Sequence, residues 1–293
     1  MYKKKVNILV IGCGRMGKSH IKSFIDKKNI NLFLYDVNTD QLKEYKKFQN
    51  IKILKSIKLT FKVNFCIIST NSKERFNVFR NLAVQKKVDI FLLEKFMFLK
   101  KSNYLYAKKK CDLKNIYNNV WGKFMYKQVN KYNLMLFKEV KVFINEGHLL
   151  TNLIHFMNFF SCYQKFKKVS KFDLNPIKNN NYDEFKGNIT LDYTNQRVNI
   201  KTKKITNIFE ILFYNQDKKN FFKIIVKNDL KFYFYLNSKL LKITKFPLAS
   251  FFSYKIFKKN SLVPNFKEIL DDNLKVIEMF NKFIPKKKLI LIR

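Results

Sequence analysis

Four short, nearly continuous apolar runs punctuate the first 118 residues: Val6–Ile11, Leu32–Tyr35, Phe65–Ile68 and Ile90–Leu93. Runs without polar alternation suit parallel strands covered on both faces. Amphipathic stretches alternate with them at Met16–Asp26, Gln41–Phe48, Ser72–Lys86 and Ser102–Lys114. Strand and helix in turn predict a doubly wound parallel sheet of the α/β class. The segment Ser56–Asn64 is too short to add a helix.

From Val120 the pattern changes. A strand is expected at Val120–Tyr126, another at Glu139–Ile144, and then a helix across His148–Cys162. Segments of alternation or high β-propensity follow at Phe185–Tyr193, Arg197–Lys201, Phe209–Tyr214, Phe221–Lys227, Leu230–Leu236 and Lys239–Phe246. The polar breaks Asn215-Gln216-Asp217 and Asn228-Asp229 read as hairpin turns. Pro264 and Pro285 bracket a final helix over Asn265–Phe283. The expected organisation is a first domain over 1–118 and an α+β domain over 119–293 with an open, mainly antiparallel sheet. The final helix, 265–283, is free to pack back on the first domain.

Length and composition narrow the class. The 293 residues suffice for two buried cores, and 47% hydrophobic content with 32 Phe excludes a disordered polyelectrolyte. Lys or Asn interrupts every apolar run before the ~18 residues needed to cross a bilayer, so no membrane partner is expected. The opening MYKKKVNILVIGCG is too short in its apolar part for a signal peptide, and it reads as a first strand. Cys13, Cys66, Cys111 and Cys162 lie far apart without metal-ligand spacing, so neither disulfides nor a metal is expected. A reducing cytoplasm is the simplest location.

The formal charge of +39 needs its own account. Of the 60 basic residues only five are Arg (Arg15, Arg75, Arg80, Arg197 and Arg293), and Ala, Gly and Pro are scarce while Lys, Asn, Ile, Phe and Tyr abound. The scarce residues have G/C-rich codons, so a low-GC genome explains the bias. A surface that reads phosphates specifically favours the Arg fork and concentrates its charge, whereas here Lys is spread throughout. Specific nucleic-acid binding is therefore not expected, although low-salt adhesion to polyanions follows from the charge.

Chemistry concentrates first in VNILVIGCGRMGKSH. Gly12, Gly14 and Gly17 form GxGxxG between a predicted strand and a predicted helix, taking three of the chain's six glycines. In a Rossmann-type domain the first glycine makes the tight turn, the second admits a pyrophosphate, and the third lets helix and strand pack closely. The pyrophosphate would lie along Gly12–Gly17, including Arg15 and Met16. Asp36 closes the second strand where a carboxylate can accept bonds from both ribose hydroxyls, which favours NAD, with NADP still open. The competing role for Asp36 is a helix cap. Ser69, Thr70 and Asn71 end the next strand, beside the cofactor or as a cap. Glu94 and Lys95 follow another strand, and a lysine there can donate a proton or hydrogen bond to a substrate oxygen.

The second domain offers Thr151, Asn152, His155 and Asn158 at i, i+1, i+4 and i+7 of an otherwise apolar helix. A polar strip of this kind points to a cleft, although a lone histidine on an apolar helix is more often packed core. An imidazole can take the hydroxyl proton as hydride leaves. His148, at the helix start, caps it or touches substrate.

Taken together, VIGCGRMGKSH, the STN loop, the EK pair and NLIHF resemble the glucose–fructose oxidoreductase/inositol dehydrogenase (Gfo/Idh/MocA) family. The resemblance implies a Rossmann domain joined to a domain whose open sheet mediates homo-oligomerisation. It implies hydride transfer between nicotinamide and a carbinol or carbonyl carbon of a sugar-like, even nucleotide-linked, substrate. Lys95 then matches the lysine of the family's Glu-Lys-Pro motif, and His155 the second-domain histidine. His20 matches a histidine that often follows the glycine loop, and a structural role suits it. Asn152-Leu153-Ile154-His155-Phe156 looks like the Asn-x-Ile-His-Phe of a subgroup tied to surface-polysaccharide genes, which implies that Asn152, with Thr151, orients substrate. Phe96 stands in place of the usual Pro, Thr151 and Asn158 in place of common Asp residues, and Trp121–Leu136 lacks the usual basic substrate-contacting pattern. The alternatives are a non-catalytic dinucleotide-binding sensor or complex subunit, and a polyanion-binding module.

Overall fold

The computed structural model describes residues 5–146, 148–177, 184–217, 221–258 and 262–283. In chain order the elements are β1 (Val6–Ile11), α1 (Arg15–Ile21), β2 (Ile30–Tyr35), β3 (Ile51–Ile53), β4 (Phe65–Ile68), α2 (Ser72–Val84), β5 (Phe91–Leu93), α3 (Lys101–Lys110) and β6 (Ile116–Asn118). They continue with α4 (Gly122–Val129), β7 (Glu139–Ile144), α5 (Leu149–Ser161), β8 (Phe166–Ile177), β9 (Glu184–Tyr193), β10 (Arg197–Thr202), β11 (Phe209–Tyr214) and β12 (Phe221–Val226). The chain closes with β13 (Lys231–Leu236), β14 (Lys239–Lys245), α6 (Ala249–Phe257) and α7 (Phe266–Phe283).

Two compact units result. Among the described residues, one takes 5–121 together with Pro247–Ile277, and the other takes Gly122–Phe246 with 278–283. The first unit is built on a six-stranded sheet in the order β3-β2-β1-β4-β5-β6, parallel throughout. Ile8–Ile11 of β1 and all of β4 and β5 are buried, as unbroken apolar runs require. The chain reverses direction across the sheet between β1 and β4. At such a reversal, the strands' carboxyl ends leave a crevice for ligands.

The second unit is an eight-stranded sheet in the order β14-β13-β12-β11-β7-β10-β9-β8. All its pairs are antiparallel except β7 with β10, so the expected mainly antiparallel sheet is present. Burial alternates along β7 and β11, which makes one face core and leaves the other with Lys141, Asn199 and Lys223. Helix α5 covers the inner face, with Phe156 at 5.2 Å from Phe209 and Phe159 and Phe160 each within 6.5 Å of Phe213 between ring centroids. Among the described residues no helix is long and apolar enough to cross a membrane.

Several expectations need correction. The strand expected at Val120–Tyr126 is helix α4. Its buried Gly122, Phe124, Met125 and Val129 follow a helical spacing, and Lys123 N–H is capped from elsewhere in the chain. Met16–Asp26 yields a helix only to Ile21, and Gln41–Phe48 folds as a 3₁₀ turn over Thr39–Tyr45. Strand β8 escaped detection because two register shifts against β9 break its alternation. Helix α6 escaped as well. Pro285 lies outside the described residues.

Candidate functional site

After β1 the chain turns through Gly12, Cys13 and Gly14 into α1. Gly12 adopts φ +85°, and a Cβ there would stand 2.7 Å from the Thr70 nitrogen. Its N–H donates to the Tyr35 carbonyl at 3.0 Å, and its carbonyl accepts from Ser69 Oγ at 2.6 Å. A Cβ on Gly17 would meet the Gly12 carbonyl oxygen at 1.9 Å, so helix and turn touch backbone to backbone. The chain's own packing dictates both glycines. Gly14 is different, since no described atom beyond its chain neighbours lies within 4 Å of a Cβ built there. Arg15 is exposed and Met16 half-buried at the start of α1.

Asp36 holds this turn from the end of β2. Its Oδ2 accepts from Cys13 N–H at 2.5 Å and its Oδ1 from Asn38 N–H at 2.8 Å. The cap of the following turn is Asn38, which accepts from Asp40 N–H, so the capping role weighed for Asp36 falls to its neighbour. Burial, with Asp36 alongside, pushes the Cys13 thiol up to about 12. After β4, Ser69 is spent on the carbonyls of Gly12 and Ile11. Thr70 keeps a buried Oγ1 without a hydrogen-bond partner among the described residues. Asn71 caps α2 by accepting from Glu74 N–H at 3.0 Å.

After β5, Glu94 is buried, and its Oε1 accepts from Asn119 Nδ2 at 2.5 Å and lies 2.8 Å from His20 Nε2. His20, fully buried, lies 2.5 Å through Nδ1 from Ser253 Oγ of α6. Burial pushes the Glu94 carboxyl up, but His20, Asn119 and Arg75 together bring it below the ordinary value. Lys95 is half-buried, and the Lys95–Phe96 peptide bond is cis.

Three residues of this region escaped the sequence reading. Arg75, 1% exposed, donates through Nη1 to the carbonyls of Glu94 (2.9 Å) and Phe96, and through Nη2 to that of Thr70. Asn118 donates to the carbonyls of Leu93 and Glu94, and Asn119 to the Glu94 carboxylate. The available signal for Arg75 was scarcity: it is an arginine in a chain that otherwise uses lysine.

In the second unit the polar strip of α5 divides. Thr151 Oγ1 and Asn152 Nδ2 donate to the His148 carbonyl at 3.2 and 2.8 Å. His148 is exposed at the N-cap, and its side chain makes no capping bond. His155 is 4% exposed. Asn158 is buried and accepts from Lys123 N–H at 2.9 Å, so it caps α4. Where four residues were expected to share one open face, two bond to their own helix's first turn and one serves a neighbouring helix. Among the described residues no three His, Cys, Asp or Glu side chains gather as metal ligands.

No protein-family model matches the chain, and no curated protein matches its sequence. Solved structures do match. A putative NADPH-dependent oxidoreductase from Desulfitobacterium hafniense is 12% identical with a TM-score of 0.72, over 96% of this chain and 97% of that one. The UDP-N-acetylglucosamine 3-dehydrogenase GnnA from Acidithiobacillus ferrooxidans is 10% identical with a TM-score of 0.70, over 96% and 97%. A super-repressor mutant of Gal80p from Saccharomyces cerevisiae is 11% identical with a TM-score of 0.69, over 95% and 96%. The chain therefore shares the fold of these solved structures, in which a parallel-sheet α/β unit accompanies a unit with an open, mainly antiparallel sheet.

Proposed function

We propose that the chain is a nicotinamide-dependent oxidoreductase acting on a carbinol or carbonyl carbon of a sugar-like substrate. The observation that carries this reading is the contrast among three glycines. Packing explains Gly12 and Gly17, whereas no described atom crowds a Cβ at Gly14, which leaves its backbone open to the close approach of a ligand. The Thr70 hydroxyl at the same sheet edge, without a partner among the described residues, fits a polar ligand too.

On this reading Gly12 makes the turn, its own amide and that of Cys13 being given to Tyr35 and Asp36, and the amides from Gly14 to Gly17, with Arg15 and Met16, hold the pyrophosphate. Asp36 has lone pairs left for the adenosine ribose after its two backbone bonds. Its charge opposes a 2′-phosphate, so NAD is preferred, although the name of the D. hafniense protein keeps NADP in the test. Ser69, Thr70 and Asn71 shape the wall beside the cofactor, and Glu94 anchors the turn that carries Lys95. The bound dinucleotide supplies the hydride acceptor or donor. Lys95 donates a hydrogen bond to the substrate oxygen, the His155 imidazole takes or returns the hydroxyl proton, and Asn152, with Thr151 and His148, orients substrate. The name of GnnA makes nucleotide-linked sugars the first panel to screen. Self-association through the open sheet and a reducing cytoplasm belong to the same proposal.

The test begins with titration of NADH and NADPH, followed by absorbance screening of sugars and nucleotide-sugars. Lys95→Met and His155→Ala should each retain coenzyme affinity and lose about 10²–10⁴-fold in turnover. Absence of saturable binding for both coenzymes sinks the reading. One fold serves many functions, and one of the solved structures that share it is named for repression, so the alternative tested beside this reading is a dinucleotide-binding protein without turnover. Tight coenzyme binding with no substrate turned over would select it.

A further inference from the structure

Arg75 lies on α2 and ranks among the largest fully buried side chains of the chain. Taking a guanidinium out of water is costly, and burial brings its pKa down to about 10, so it stays charged at neutral pH. Apolar side chains of similar volume often serve stability as well as a buried ion does. Stability alone therefore does not account for Arg75.

Its hydrogen bonds do. The three acceptors are main-chain carbonyls: Thr70 in the turn after β4, and Glu94 and Phe96 in the turn after β5. Glu94 and Phe96 are the two neighbours of Lys95. One planar fork thus reaches both flanks of residue 95 from the interior and ties them to the adjoining turn. Asn118 holds the Glu94 carbonyl a second time, and His20 and Asn119 hold its carboxylate. A lysine ammonium has no planar fork to span carbonyls on two turns.

We propose that Arg75 is a positioning residue, which fixes the main chain on both sides of Lys95 and so presents the Lys95 amine in one direction. The purpose of that presentation rests on the reading of Lys95 as the group facing the substrate oxygen.

The test uses the full chain as wild type, R75K and R75M, read by mass spectrometry after amide hydrogen exchange and after acetylation with acetic anhydride. R75K keeps the charge and loses the fork, and R75M loses both. Exchange in the peptide covering Leu93–Phe98 should quicken about tenfold in R75K and further in R75M, while β1 and β7 keep wild-type protection. Acetylation of Lys95 relative to Lys73, an exposed lysine of α2, should change about threefold or more. A purely structural role leaves that ratio unmoved when variants are compared at equal distance below their unfolding midpoints. Wild-type exchange and an unchanged ratio in folded R75K overturn the proposal, as does acceleration spread evenly through both units. Should R75M not fold, R75K decides. Coenzyme titration of the wild type judges the dinucleotide reading separately, because the exchange arm contains no coenzyme.

Discussion

Gly17 in the parallel-sheet unit and Gly122 in the second unit occupy the same physical situation. Each lies against a main-chain oxygen that a Cβ would strike: Gly12 O at 1.9 Å for Gly17, and His155 O at 2.4 Å for Gly122. What separates them is distance along the chain. Gly17 meets a partner five positions away, so strand, turn and helix can be recognised together in a short window. Gly122 meets a partner thirty-three positions away, and its neighbourhood reads locally as a strand. Close backbone approach is thus visible in sequence only when both partners fall within one motif.

The comparison is sharpest under substitution. Gly17→Ala should destabilise the protein by about 3 kcal/mol or more, since the clashing atom is backbone and must move the whole turn. Chemical denaturation measures it, and a loss below 1 kcal/mol would mean that α1 can slide freely. Gly122→Ala should cost about 1–3 kcal/mol. Its Cβ would also crowd Asn158 Oδ1 at 2.8 Å, the atom that caps α4. Hydrogen exchange should localise that damage to α4 and α5 and spare β1. Equal damage in both units would break the comparison.

Gly14→Ala reverses the pattern. No described atom crowds its Cβ, so stability should change by less than about 1 kcal/mol. Coenzyme affinity should nevertheless fall about tenfold or more, the loss expected from a methyl group intruding between a backbone and its ligand. Fluorescence titration beside a thermal melt separates the two effects. Unchanged affinity in a folded variant would remove the observation on which the dinucleotide site rests.

How much of this was legible follows the same division. Four strands of the first sheet could be read because they are apolar runs with amphipathic stretches between them, whereas β3 and β6, three residues each with a polar one among them, gave no such signal. The alternation of β7 and β11 exposed the second sheet. The turns carrying Gly12, Ser69 and Glu94 were found because each follows such a run. Their internal hydrogen bonds were not. Asp36 and Ser69 bind the glycine turn itself, and Asn158 serves a helix that had been read as a strand. Side chains that bond main-chain atoms on distant segments leave no local period. Arg75, Asn118 and Asn119 are of this kind.

The smallest expected effect concerns the buried pair His20 and Glu94, in which the unit with the local motif depends on distant partners. The Glu94 carboxyl sits below its ordinary value because His20, Asn119 and Arg75 outweigh the upward push of burial. A carboxyl with a depressed folded pKa stabilises the fold above its unfolded value, near 4.5, and that contribution disappears as pH falls through the lower folded value. Asn119→Ala removes one donor at 2.5 Å and should cost about 1 kcal/mol at neutral pH. With fewer partners the Glu94 carboxyl moves back up, so acid destabilisation should begin at higher pH in the variant. Denaturation midpoints followed from neutral pH down to about pH 3 measure this. Curves that stay parallel would show that His20 and Arg75 keep the carboxylate ionised without help from Asn119, which then contributes packing alone.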